Sequence, residues 1–135
     1  MRKHLGSDDL GDLLDRPLVA VLATYRRDGS VLLSPVWHEW CDGGFNVVTG
    51  ANDVKVRQLR RDPRASIVVY EHEPPYRGIE VRSQARLEPA GAAVRRIATR
   101  YLGETAGTEY AETSGDDTLI RLEPGRLRAW DFADS

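Results

Sequence analysis

The densest gathering of chemistry-capable side chains lies between Thr49 and Arg64, where the turn Thr49-Gly50-Ala51-Asn52 runs into Lys55-Val56-Arg57-Gln58-Leu59-Arg60-Arg61. Positions 55–64 hold five basic residues and one acid, while the rest of the chain holds 14 basic and 20 acidic residues. One positive corner therefore stands against an acidic background. A glycine-bearing turn that feeds a helix presents free backbone N–H groups and the positive end of the helix dipole. Lys55, in the first turn, adds an ammonium at the same spot. Together these suit an anionic, phosphate-bearing ligand. A solvated helix face, with Arg60 and Arg61 merely flanking the Asp62-Pro63 stop, accounts for the same residues equally well. Nucleic acid accounts for them less well. Trp37, Trp40 and Tyr76 offer stacking surfaces, but one short basic helix without a second patch makes a poor phosphate track.

A second candidate is the stretch Leu33-Ser34-Pro35-Val36-Trp37-His38-Glu39-Trp40. Proline interrupts a strand beside a hydroxyl and two large aromatics, which frees backbone groups to meet the polar edge of a planar heterocycle. An edge strand with core aromatics is the simpler account of these residues taken alone. His38 and Cys41 point to opposite faces of an alternating strand, which argues against a shared metal. No phosphate-binding glycine loop, nucleophile elbow or zinc-protease helix is present, so no metal is expected and no catalytic side chain is assigned. Cys41 reads as a small hydrophobe rather than a nucleophile, because only His38 stands near enough to lower its pKa.

The elements that must hold these groups follow from periodicity. Ser7, as an N-cap, with Leu10, Leu13 and Leu14 predicts an N-terminal helix within residues 1–16. Strands are predicted at 18–24 and 31–40 around an Asp28-Gly29 hairpin, and at 45–49 after an Asp42-Gly43-Gly44 turn. A short helix from Asn52 or Asp53 to Arg61 stops at Asp62-Pro63. Strands follow at 65–70 and 79–87 around a loop at 73–78. A helix then opens on Pro89, carries the stripe Val94, Ile97, Ala98, Tyr101 and Leu102, and ends at Gly103. Arg95, Arg96 and Arg100 fall on its other side. Residues 104–117 read as a mobile, variable loop, and the last two strands as 118–122 and 126–132. Six or seven hairpin-joined strands with three helices imply an antiparallel sheet that curls into a barrel.

Length and composition agree with one domain over residues 1–135. The chain has 41% hydrophobic and 30% charged residues and a net charge of −2. That balance disfavours nucleic acid or an anionic membrane as a partner through overall charge. There is no apolar run of membrane-span length and no secretory leader pattern, and one cysteine fits a reducing cytoplasm.

In series, Thr24 with Arg27-Asp28-Gly29-Ser30, Ser34-Pro35-Val36-Trp37, Lys55 through Ser66, and Pro75-Tyr76 with Glu80-Val81-Arg82 resemble the pyridoxamine-phosphate-oxidase-like split β-barrel superfamily. More narrowly they resemble its flavin/deazaflavin oxidoreductase branch, whose members often use coenzyme F420. The likeness spans roughly residues 8–132. It implies a mainly β fold with flanking helices, an antiparallel six- to seven-stranded split barrel of the FMN-binding kind. It further implies a homodimer with cofactor sites along the interface. In such proteins Ser34, Pro35, Val36 and Trp37 lie against the tricyclic ring. Thr49, Gly50, Ala51 and Asn52 lead to Lys55, the main phosphate partner, and Tyr76 and Trp130 reach toward the partner's site. The sequence departs from the family pattern at Gln58, where Asn is common, and at Ser83, where Gly is common. The extra cations Arg57, Arg60 and Arg61 suit the longer polyanionic tail of F420, whereas Lys55 alone suffices for FMN. The expected function is hydride transfer from F420 to a small unsaturated or quinone-like molecule. An FMN enzyme and a non-catalytic cofactor- or haem-binding protein are the alternatives. Tyr76, His38 or water are the candidate proton donors.

Overall fold

The computed structural model describes residue 2 and residues 4–133. In chain order the elements are β1 (Ala20–Tyr25), β2 (Val31–Val36), β3 (Glu39–Cys41), β4 (Gly44–Gly50), α1 (Val54–Arg61), β5 (Arg64–Tyr70), β6 (Gly78–Gln84), β7 (Arg86–Pro89), α2 (Ala93–Leu102), α3 (Glu104–Thr113), β8 (Asp117–Leu122) and β9 (Arg126–Trp130). They form two antiparallel sheets, one ordered β2-β1-β5-β6-β9 and the other β3-β4-β8-β7. Alternation along β1, β5 and β6 turns Ala20, Leu22, Ile67, Val69, Ile79 and Val81 inward. From the other sheet come Phe45, Val47, Ile120 and Leu122, and all join one core. The architecture is a split barrel, mainly β with three helices.

Two predicted strands turn out to be two strands each. The 31–40 run leaves the first sheet at Trp37-His38 and enters the second as β3, and the 79–87 run does the same at Ala85. Sheets that share a core are joined where strands bend and change partners. Among the described residues this raises the strand number from six or seven to nine. Pro35 sits on β2, the edge strand, opposite Val21, where its missing N–H costs no ladder bond.

The Asp42-Gly43 turn has positive φ at both residues (51° and 74°), the two-residue hairpin geometry. The Asp28-Gly29 hairpin differs. Its connection spans residues 26–30, and Gly29 (φ 86°) follows a turn closed by its own N–H on Arg26 O (3.0 Å). The Asp28 carboxylate accepts from the Ser30 N–H and hydroxyl there.

The helices also differ from expectation. The N-terminal stretch forms two short 3-10 turns, Ser7–Asp9 and Leu13–Asp15, rather than one helix, and Gly6 takes the cap position predicted for Ser7. Leu10, Leu13 and Leu14 are nevertheless buried. Pro89 ends β7 instead of opening α2. Residues 104–117 are not a loop: α3 occupies most of them and packs antiparallel on α2. Its sequence has no apolar stripe, so periodicity gave no sign of it. What holds it is close approach: a Cβ on Gly107 would lie 2.6 Å from the Thr99 backbone. Among the described residues no helix is long and apolar enough to cross a membrane.

Candidate functional site

A cavity of about 370 Å³ opens between the end of β2, the end of β4, the first turn of α1 and α3. Val19, Pro35, Val36, Trp37 and Val48 give it an apolar wall, and Thr49 and Lys55 close one end. The structure thus brings together the two stretches singled out in the sequence. Tyr110, on α3, completes the lining, and without an apolar stripe in α3 the sequence gives no sign of it.

Lys55 is positioned by the helix start. Asp53 is the N-cap, and its carboxylate accepts the Lys55 backbone N–H (2.9 Å). The same oxygen lies 3.0 Å from Lys55 Nζ, and the lysine side chain is only 15% exposed. Burial works to raise the Asp53 pKa, yet hydrogen bonds from Lys55 and Thr49 outweigh it and hold the carboxyl below its ordinary range. The amide groups expected to be free at this helix start are therefore partly taken by the protein's own carboxylate. Behind the cap, Gln58 Oε1 accepts a 2.6 Å hydrogen bond from the buried Thr24 hydroxyl, tying α1 to β1. The residue that departs from the family pattern thus serves as an internal strut.

The remaining predicted residues diverge. Arg57 is exposed beside Lys55 on α1, away from the lining. Arg60 faces a different cleft, against β7 and the start of α2. Arg61 donates to Tyr25 O (2.6 Å), closing the end of β1. Ser34 is half-buried on β2, while Gly50, Ala51 and Asn52 form the turn between β4 and α1, with Asp53 N–H on Gly50 O. None of these four lines the cavity. Tyr76 is exposed at a positive φ of 56° in the β5–β6 connection, and Trp130 packs over Gly78 on β9. Neither touches the cavity of the chain that carries it.

Trp37 is held from behind. It stacks on Tyr101 (4.9 Å between centroids, 6° between planes) and meets Tyr110 at a tilt. The Tyr101 hydroxyl donates to Leu18 O (2.7 Å) and accepts the His38 backbone N–H (3.1 Å). With that proton committed to Leu18, the His38 ring Nδ1, 3.0 Å away, is the donor to Tyr101. His38 Nε2 is buried with no partner among the described residues. Burial, with Arg100 nearby, lowers the His38 pKa to about 4. His38 is fully enclosed and does not line the cavity, so it is a strut for Trp37 and not a proton donor to a ligand.

Two of the α2 arginines, Arg96 and Arg100, also bond to this corner, while Arg95 faces the cleft that Arg60 lines. Arg100 Nε donates to His38 O (3.1 Å), and Arg96 forms a two-pronged bond to Glu39 (2.9 and 3.1 Å). Burial favours a protonated Glu39, but bonds from Arg96 and Asn46 lower its pKa overall. Burial and Asp42 push the Cys41 thiol up, away from nucleophilic character. Among the described residues no cluster of His, Cys, Asp or Glu gathers as for a metal.

The family model for pyridoxamine 5'-phosphate oxidase matches residues 7–131. A solved F420 reductase is 26% identical, with 86% of this chain and 93% of that chain covered at a TM-score of 0.70. A conserved hypothetical protein from Mycobacterium tuberculosis superposes at a TM-score of 0.80 with 24% identity, covering 95% of this chain and 86% of that one. A haem storage protein from Vibrio cholerae does so at 0.67 with 18% identity, covering 90% and 92%. These last two likenesses concern the fold alone. No curated protein matches the chain in sequence.

Proposed function

The chain belongs to the pyridoxamine 5'-phosphate oxidase family, and on that premise we propose that it is a reductase dependent on the deazaflavin coenzyme F420, acting on a small unsaturated or quinone-like molecule. The observation that carries this reading is one cavity in which a flat apolar wall ends at a lysine. Pro35, Val36 and Trp37 would lie along the cofactor ring, and Lys55 with Thr49 would hold its phosphate. The exposed Arg57 is available to the carboxylates of the tail. The 26% identity to an F420 reductase supports the choice. The coenzyme, when bound, supplies the hydride. The chain's own part is to orient the ring against Trp37, keep water from its apolar face and neutralise its phosphate.

We infer that the chain works as a homodimer, the second copy covering the open side of the cavity. Val19, Val31 and Leu33 are exposed (Leu33 by 64%) and share the β1–β2 end of the sheet with Pro35. Burying such a patch favours self-association, and a homodimer would bring Tyr76 and Trp130 of one copy toward the other's cavity.

A second reading has an observation of its own. Arg60 and Arg61 turn away from the cavity, which leaves Lys55 its one lining cation among the described residues, enough for the phosphate of FMN. Fluorescence titration of the purified protein with F420 and with FMN separates the two. Saturable F420 binding, weakened at least tenfold by Lys55→Ala, is expected; tight FMN binding without F420 binding overturns the first reading. Sedimentation velocity tests the dimer.

A further inference from the structure

The outer face of the five-stranded sheet changes character from one edge to the other. At β2 and β1 it is apolar, as described. Toward β6 and β9 it becomes a field of arginines, none of which the proposed function uses. In the ladder, Arg82 stands directly opposite Arg126, and Glu80 opposite Arg128. Arg64, on β5, lies on the same face two residues from Ser66, which pairs with Arg82. Like charges placed directly opposite destabilise a sheet, so the Arg82–Arg126 pair needs a reason.

The nearby carboxylates do not supply it. Glu80 is shared between Arg82 (3.9 Å) and Arg128 (3.6 Å), both at the outer limit of an ion pair. Asp62 is fully engaged by Arg64. Arg126 has no carboxylate within ion-pair distance among the described residues. Arg64, Arg82 and Arg126 surround a cleft of about 440 Å³ whose lining also includes Tyr25, Ser66 and Gly125. One wall is fixed by the β8–β9 turn, where Gly125 sits so close to β6 that a Cβ there would lie 2.7 Å from Arg82 O. Arg64 is braced over the Tyr25 ring at 4.5 Å.

We propose that this cleft is a second anion site, which takes a small molecule bearing at least two phosphate or carboxylate charges between Arg82 and Arg126. Guanidinium forks bind such groups through paired hydrogen bonds, and an anion between the two arginines relieves their repulsion. Ser66, on the same face as Arg64 and Arg82, adds a hydroxyl donor at its rim. The site shares no lining residue with the Lys55 cavity.

Calorimetric titration of the intact protein at low salt, with inorganic pyrophosphate and separately with citrate, tests this. Saturable binding of either, weakened at least tenfold by Arg82→Gln with Arg126→Gln and unchanged by Lys55→Ala, supports the site. The tighter of the two probes then tells phosphate from carboxylate. The proposal is overturned if neither probe saturates, if the double variant binds as well as the parent, or if Lys55→Ala abolishes the signal. It is equally overturned if the double variant sediments as a different assembly, since the arginines would then be contacts between copies.

Discussion

Two carboxylates in this molecule each hold a cation, and they do so in opposite styles. Glu71, at the end of β5, is 2% exposed and has every acceptor position filled. It receives Arg77 Nε (2.7 Å), Arg77 Nη2 (2.9 Å), the Arg77 backbone N–H (2.8 Å) and Arg16 Nη1 (2.8 Å). Arg77 in turn donates to Leu10 O and pairs with Asp12. Asp53, at the cavity, is partly exposed and holds Lys55 through a single oxygen. An ammonium has three donors, and this contact uses one. A saturated network builds structure, here fastening the β5–β6 connection to the N-terminal turns. An unsaturated one retains capacity for a ligand.

The largest test of that contrast is Glu71→Gln. Removing one partner from a buried ion pair costs about 3–5 kcal/mol, because the remaining charges stay buried and unmatched. A lower urea midpoint is expected, with F420 affinity per folded molecule unchanged. If stability hardly moves, the network is ornamental and the comparison fails.

Acid sharpens it in two separate windows. The unfolded chain protonates His38 near 6.5, whereas the folded protein resists until about 4 because of burial and Arg100. The unfolded state binds more protons in that interval, so stability falls as pH drops through it, by about 3 kcal/mol in all. Glu71 acts lower. Bonds from Arg77, working against burial, hold its carboxyl ionised down to about 2 against an ordinary 4.5. Its stabilisation is present above 4.5 and lost as pH falls toward 2. Denaturation midpoints across pH 7 to 2.5 should show both slopes. His38→Gln should flatten the upper slope alone and Glu71→Gln the lower alone.

What the sequence disclosed divides along similar lines. Local signals were strong where one residue dictates one geometry. Asp42-Gly43 made its tight turn, Asp62-Pro63 stopped α1, and the excess of basic residues marked the corner that carries Lys55. The corner's link to Pro35 and Trp37 was legible only through the family likeness, because it depends on which sheet each strand joins. Three things were hidden for tertiary reasons. The sheet changes at Trp37-His38 and Ala85 leave no mark on an alternating pattern. Helix α3 is held by contact at Gly107 rather than by an apolar stripe, so Tyr110 went unseen. The arginine positions also followed packing: spacing put Arg60 and Arg61 with Lys55, but one faces another cleft and the other binds Tyr25 O.

Lys55→Ala addresses the unsaturated side. A charge-assisted bond to phosphate contributes roughly 1.5–3 kcal/mol, so F420 affinity should fall at least tenfold. The denaturation midpoint should move little, since the lysine's one partner is a partly exposed cap. A large loss of stability with unchanged affinity would reverse the assignment and make Lys55 the structural cation.

The smallest effect is the most diagnostic, because it repeats at Asp53 the chemical change made at Glu71. Asn serves as an N-cap about as well as Asp, so Asp53→Asn keeps the bond to the Lys55 N–H and removes only the negative charge 3.0 Å from Nζ. That charge competes with any phosphate for the ammonium. A partly exposed pair is worth about 0–1 kcal/mol, so its removal should tighten F420 binding by up to roughly fivefold and leave the fold intact. Carboxylate to amide would thus damage the molecule at one site and improve it at the other. Weaker binding in Asp53→Asn would mean that the carboxylate orients Lys55 for its ligand instead of competing with it, and the division between saturated and spare cations would no longer hold at the cavity.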